Sequence, residues 1–257
     1  LNLENQADKT VLSQFARLSV DVNGLTIPGR SIESVLARHA FNLVVNNDDE
    51  IFKVSLIGSA TAVRFRGRDI LLTTQHQLGG VDMSQVAMLT DSGSHIITSG
   101  GSRGYDPHPD SDAHDIVAFD FTEPCKDWPV LKKRFFELTR RPPDVPNDQV
   151  LAILLSGYPS DDQTYEVHEN NHLGLARRHV ACLPHSQPSD QALLTVQAVR
   201  PLKEHPDGMS GGPAFVIQLE VGGPRAYFAG IILRGGRTYF HILKAGFVFE
   251  FLNSAFG

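Results

Sequence analysis

Residues 207–214 read Asp-Gly-Met-Ser-Gly-Gly-Pro-Ala, a serine set in a turn with three glycines. Such a turn exposes the Ser210 hydroxyl and leaves nearby backbone N–H groups without partners. An acyl-transfer nucleophile needs both features: an approachable oxygen, and donors aimed at the oxyanion that forms on attack. It also needs a base, and a group that orients the base. His76 closes the run Asp-Ile-Leu-Leu-Thr-Thr-Gln-His at 69–76, where β-prone apolar residues meet a polar stop. Asp115 opens the run Asp-Ile-Val-Ala-Phe-Asp-Phe at 115–121. Asp112, in the polar loop before that run, and Asp120, inside it, compete with Asp115 for the orienting role. Taken singly, each residue has a plain reading: a β-turn serine, one packing histidine among 11, a strand-capping aspartate. Taken together, in the chain order His76, Asp115, Ser210, they point to nucleophilic catalysis.

The serine turn resembles the Gly-Asp-Ser-Gly-Gly-Pro signature of the chymotrypsin/trypsin-like peptidase superfamily, with Met209 in place of the aspartate. The run ending at His76 resembles the strand ending in Thr-Ala-Ala-His that carries the superfamily's general base. Gly58-Ser59-Ala60-Thr61-Ala62-Val63 resembles the strand that precedes it, and 115–121 resembles the Asp-Ile-Ala-Leu-Leu pattern of its aspartate. The order His-Asp-Ser is also that of the superfamily, whereas other folds reach the same geometry in other orders. The resemblance implies that Ser210 is the nucleophile, His76 the general base and Asp115 its orienting partner. It implies an oxyanion hole made by the N–H groups of Gly208 and Ser210. It implies a trypsin-like serine endopeptidase working through an acyl-enzyme on a protein or peptide substrate, with no cofactor and no metal. The alternatives are a catalytically silent, protease-like binding or scaffold module, and a hydrolase of esters only.

Met209 departs from the pattern. In digestive members the aspartate pairs with a freshly cut N-terminus, which methionine cannot do. The chain thus looks more like bacterial, Deg/HtrA-like or viral members, with a permanently formed site or one ordered by an activating protein partner. For specificity, Gly230-Ile231-Ile232-Leu233-Arg234-Gly235 resembles Gly-Ile-Val-Ser-Trp-Gly, which implies that Leu233, Arg234 and Gly235 meet an extended peptide by strand addition. Glu204 lies near the place of the acidic residue at the base of a trypsin-like pocket, implying cleavage after Arg or Lys. An exposed loop glutamate beside Lys203 is the plain reading, and His205, Arg234 and His241 point instead to acidic side chains.

These residues need a scaffold to bring them together, and 257 residues suffice for one large domain or two small ones. Hydrophobic residues at 41% and charged residues at 20% describe an ordinary globule. The net charge of −6, without a basic block, speaks against a nucleic-acid partner. No run of roughly 18 apolar residues exists, so no membrane span is expected. Two cysteines, Cys125 and Cys182, read most simply as buried free thiols in a reducing compartment, although one bridge between them stays open. A cytoplasmic location is expected, with secretion or periplasmic export after signal removal as the alternative.

Helix-like spacing at 11–18 and 31–39 gives an N-terminal helical extension over 1–39. Short β-prone runs follow at 41–46, 51–57, 60–66, 69–74, 86–90, 95–98 and 115–121. Prolines and charges break the pattern over 122–148, with a short helix expected at 130–138. Strand-like runs resume at 150–156, 164–168, 178–184, 193–199, 213–220, 226–233 and 237–243, and 245–256 has helical spacing. Periodicity supports a mostly-β chain. The resemblance implies an all-β fold of two six-stranded antiparallel barrels, one over 40–135 with His76 and Asp115, a linker at 136–148, and one over 149–257 with Ser210 and a C-terminal helix.

Overall fold

The computed structural model describes residues 17–47, 49, 53–90, 93–106, 112–166, 172–186 and 190–257. The second half of the chain forms a closed barrel. Its strands are β11 (Val150–Gly157), β14 (Arg178–Pro184), β15 (Leu193–Ala198), β16 (Pro213–Glu220), β17 (Gly223–Gly235) and β18 (Tyr239–Lys244). They pair in the order β16-β11-β14-β15-β18-β17, and β16 also pairs with β17, so the sheet returns on itself. A separate hairpin, β12 (Thr164–Glu166) with β13 (His172–Gly174), stands beside it; residues 167 and 168 of the run expected at 164–168 lie outside the described residues.

The first half forms a second sheet from β3 (Ala40–Asn46), β4 (Val54–Phe65), β5 (Arg68–Thr73), β6 (Val86–Leu89), β7 (Ile96–Thr98), β8 (Ser102–Gly104) and β9 (Val117–Asp120). Its order is β7-β6-β3-β4-β5-β9-β8. Where two runs are expected at 51–57 and 60–66, one long strand, β4, runs through Gly58. The chain past α3 (Pro129–Lys132) also differs from the helix expected at 130–138. After one helical turn, β10 (Phe136–Glu137) lies parallel to β4. Phe135 enters the core of the first sheet, whereas Phe136 and Leu138 face the layer between the halves, and that alternation is a strand's period.

Of the expected N-terminal helices, the run at 11–18 lies almost wholly outside the described residues. The run at 31–39 appears as α1 (Gly29–Ala37), with Ile32 and Leu36 buried. Before it stands a hairpin, β1 (Ser19–Val22) and β2 (Leu25–Pro28). Its two-residue turn is Asn23-Gly24, with φ of 50° and 84°. Both values are positive, as the turn that matches strand twist requires. β1 joins β17 in parallel, so this segment extends the barrel of the second half.

Among the described residues three large apolar layers hold the fold, with a small fourth cluster at Val44, Ala87 and Leu89. One fills the first sheet, one fills the closed barrel, and the largest lies between them and under α4 (Ala245–Phe256). Strand β17 shows the reason for its unbroken apolar run. Phe228, Ile231 and Leu233 face the middle layer, while Tyr227, Ala229 and Ile232 face the barrel interior. A strand buried on both faces has no polar side to alternate. His39 sits in the middle layer at 2% exposure, its ring 5.1 Å from Phe136, and donates Nδ1–H to the Arg134 carbonyl at 2.6 Å. Burial lowers its pKa to about 3, so it packs as a neutral ring. Cys125 lies in the first core and Cys182 in the barrel core; both are free thiols, and burial pushes each up to about 12.

Candidate active site

His76 stands in α2 (Gln75–Leu78), the helical turn that follows the buried end of β5. Asp115 lies between a short 3-10 turn (Asp112–His114) and β9. The aspartate holds the histidine at two points. Its Oδ1 accepts the backbone N–H of His76 at 2.9 Å, and its Oδ2 lies 2.6 Å from the ring Nδ1. An ionised carboxylate only accepts, so Nδ1 carries the proton and Nε2 presents a lone pair. Half of the His76 side chain is exposed, so that lone pair can reach a substrate.

The competing aspartates have other partners. Asp112 receives both Nη1 and Nη2 of Arg234, at 2.6 and 2.8 Å. Asp120 accepts from Thr122 and from Arg68.

Ser210 is half-buried between β15 and β16, in a turn fastened by its carbonyls. The Asp207 carbonyl accepts from Ser160 N–H at 2.7 Å, and the Met209 carbonyl from Gly212 N–H at 3.0 Å. In a trans peptide the carbonyl and the following N–H point in opposite directions. Anchoring those two carbonyls therefore turns the N–H groups of Gly208 and Ser210 the other way. Among the described residues neither N–H donates to another backbone group, while the Met209 N–H between them is tied to Pro206. Two neighbouring donors left unspent on one turn are what an oxyanion hole needs.

Gly208 has φ of +90°, and a Cβ there would lie 2.8 Å from the Tyr158 carbonyl; only glycine fits on both counts. Met209 is 1% exposed and packs in the barrel core, where it anchors the turn by burial. No hydrogen bond joins Ser210 to His76 among the described residues; contacts of this kind often tighten only when substrate is bound.

Similarity to solved structures is extensive in shape and slight in sequence. A structure of human heparin binding protein covers 92% of its own chain and 86% of this one, with TM-score 0.54 and 9% identity. A scabies mite inactivated protease paralogue covers 95% of its chain and 86% of this one, with TM-score 0.52 and 11% identity. The fold is that of the chymotrypsin-like serine proteases. No family model and no curated protein sequence matches the chain. One of the two neighbours is named as inactivated, so the chymotrypsin-like fold alone does not carry activity.

Within that fold the residues considered for specificity are dispersed. Leu233 is 1% exposed in the middle layer, so it has only backbone to offer a ligand. Gly235 lies against the Phe240 ring. Arg234, half-exposed, reaches over to Asp112 and stands opposite His241 across the β17–β18 pair. Glu204 lines a cavity of about 540 Å³ with Glu33, Arg178, His179 and Lys203, a cavity that neither His76 nor Ser210 lines. The chain reaches it because Leu202 N–H bonds to Arg237 and Ala198 N–H to Thr238, which lays 199–204 along β14 and the β17–β18 turn. His205 is occupied by Asp207 at 2.7 Å.

Among the described residues no group of three His, Cys, Asp or Glu side chains converges as a metal site would, and no helix is long and apolar enough to cross a membrane. Sequence reasoning missed Ser59, Thr61 and Gln77, whose side chains bond to the carbonyls of Gly208, Gly211 and Ser210. The Gly58-Ser59 pair drew notice only for its resemblance, and nothing near Gln77 in sequence gives its partner.

Proposed function

We propose that the protein is a trypsin-like serine endopeptidase. The observation that carries this reading is the two-point hold of Asp115 on His76, which fixes the tautomer a general base requires, in a helical turn whose next residue, Gln77, bonds to the serine turn. Ser210 Oγ attacks the scissile carbonyl while His76 Nε2 takes its proton. The N–H groups of Gly208 and Ser210 receive the oxyanion. His76 returns the proton to the leaving amine, and Asp115 steadies the imidazolium without becoming protonated itself. Water then repeats the sequence on the acyl-enzyme. Met209, buried in the barrel core, gives no charge for an inserted amino terminus, which supports a site formed without N-terminal cleavage.

A silent, protease-shaped module is the second reading, favoured by the missing Ser210–His76 hydrogen bond and by the inactivated neighbour. A fluorophosphonate probe, run beside peptide and ester substrates, separates the readings. Covalent labelling with peptide turnover supports the endopeptidase. Ester turnover without peptide turnover supports an esterase, and no labelling supports the silent module.

A further inference from the structure

His76 and Ser210 come from different sheets, and a base must meet its nucleophile to within a fraction of an ångström. The apolar layer between the sheets is non-directional and does not set that register by itself. Three side chains of the first half do reach the serine turn. Ser59 Oγ donates to the Gly208 carbonyl at 2.6 Å, Thr61 Oγ1 to that of Gly211 at 2.7 Å, and Gln77 Nε2 to that of Ser210 at 2.5 Å.

We propose that Gln77 is a positioning residue, a clamp that sets the register between base and nucleophile; this rests on Ser210 being the nucleophile. Gln77 alone of the three binds the serine residue itself, and it follows His76 in the same helical turn. A continuous series results: Asp115 holds His76, α2 carries His76 and Gln77 together, and Gln77 holds Ser210.

The amide orientation is fixed by chemistry. Turned over, the amide would set Oε1 against the Ser210 carbonyl, two acceptors in contact. The same end lies 3.1 Å from Thr73 Oγ1 and 3.0 Å from Thr74 Oγ1, hydroxyls able to accept its second hydrogen. The other end has no partner: Oε1 is buried and unsatisfied. It rests where a Cβ on residue 58 would come within 1.8 Å, so Gly58 is the vacancy that admits it. A buried acceptor without a donor destabilises a fold, and an apolar side chain of this size would avoid that penalty. What the amide contributes is the bond to Ser210.

The test compares wild type with Gln77→Leu and Gln77→Met, which keep the volume and lose the donor. Thermal unfolding shows which variants fold; the substitution removes an unsatisfied oxygen but also the donor to the Ser210 carbonyl, and the two effects oppose, which predicts a midpoint near wild type. The clamp predicts a fall in kcat of about 10- to 100-fold with KM within a few-fold, as expected for an ångström-scale misplacement. It also predicts that fluorophosphonate labelling of Ser210 slows to a similar degree. In a His76→Ala background, where no base remains to be aligned, the same substitutions leave the residual labelling rate unchanged.

Wild-type labelling rates in a folded Gln77 variant, or equal losses with and without His76, would overturn the clamp alone. Failure of wild type to label at all would overturn the reading of Ser210 on which it rests.

Discussion

Asp115 binds both the ring and the backbone of His76, so one carboxylate fixes the tautomer and the position of the base together. Replacement by asparagine keeps the size and removes the charge, and its amide can favour the wrong tautomer. Asp115→Asn should lower kcat by about 10⁴, by analogy with the same change in the His-Asp-Ser template. Asp112→Ala breaks only the Arg234 pair and should stay within a few-fold of wild type. Steady-state kinetics of the two folded variants decide the assignment; the reverse ranking would move the orienting role to Asp112.

Gly208 predicts a loss of rate with little loss of binding. A methyl group there meets the Tyr158 carbonyl and opposes a φ of +90°, so the peptide bearing the oxyanion donor must turn. Gly208→Ala should lower kcat by about 10²–10³, the usual effect of losing one such donor, with KM changed far less. Unchanged kcat in a folded variant would place the oxyanion elsewhere.

Met209 predicts an effect on stability. Truncation of a side chain this buried costs about 2–5 kcal/mol, so Met209→Ala should unfold at lower denaturant concentration. With no charge at position 209, no loss of activity should track deprotonation of an α-amino group near pH ~8. Active-site titration alongside turnover checks this. A loss of turnover near that pH, with the fold intact, would show that a charged amino terminus is required.

His39 predicts a slope of stability with pH. Its pKa is lowered to about 3 in the folded protein from the ordinary 6.5. Between those values the unfolded chain holds a proton that the folded protein does not. Stability is therefore full above pH ~6.5 and falls as pH drops toward ~3, by up to about 1.4 kcal/mol per pH unit. Denaturant unfolding of wild type and His39→Gln from pH 7.5 to 5 isolates this contribution. The wild-type curve should fall more steeply below pH 6.5, and parallel curves would mean that His39 is not buried neutral.

What the sequence reveals follows the range of the interactions. The helix at 245–256 matches α4 residue for residue, since Phe247, Val248, Phe251, Leu252 and Phe256 carry a local period. The serine turn is legible because its glycines are needed within a few residues of one another. Asn23-Gly24 is a strong hairpin signal, and it is why a hairpin stands over 19–28 inside the expected helical extension. The parallel docking of that hairpin on β17 depends on residues some two hundred positions away and leaves no local trace. The side chains of Ser59, Thr61 and Gln77 that reach the serine turn are hidden for the same reason: their bonds span 133 to 150 positions, and Gly58 looks like a break in a strand until Gln77 is seen to occupy its vacancy. At 136–138 the helix-like spacing yields to a partner strand, because pairing beside β4 buries Phe136 and Leu138 in the middle layer.

The central claim is that Ser210 is a nucleophile activated by His76 and Asp115, and the most direct measurement is the site of covalent modification. The protein is treated with a fluorophosphonate, digested and mapped by mass spectrometry, beside Ser210→Ala and His76→Ala. The account predicts one adduct, on Ser210, absent from Ser210→Ala, slowed by several orders of magnitude in His76→Ala, and accompanied by loss of peptidase activity in proportion to labelling. An adduct on another serine, or full peptidase activity in Ser210→Ala, would contradict it.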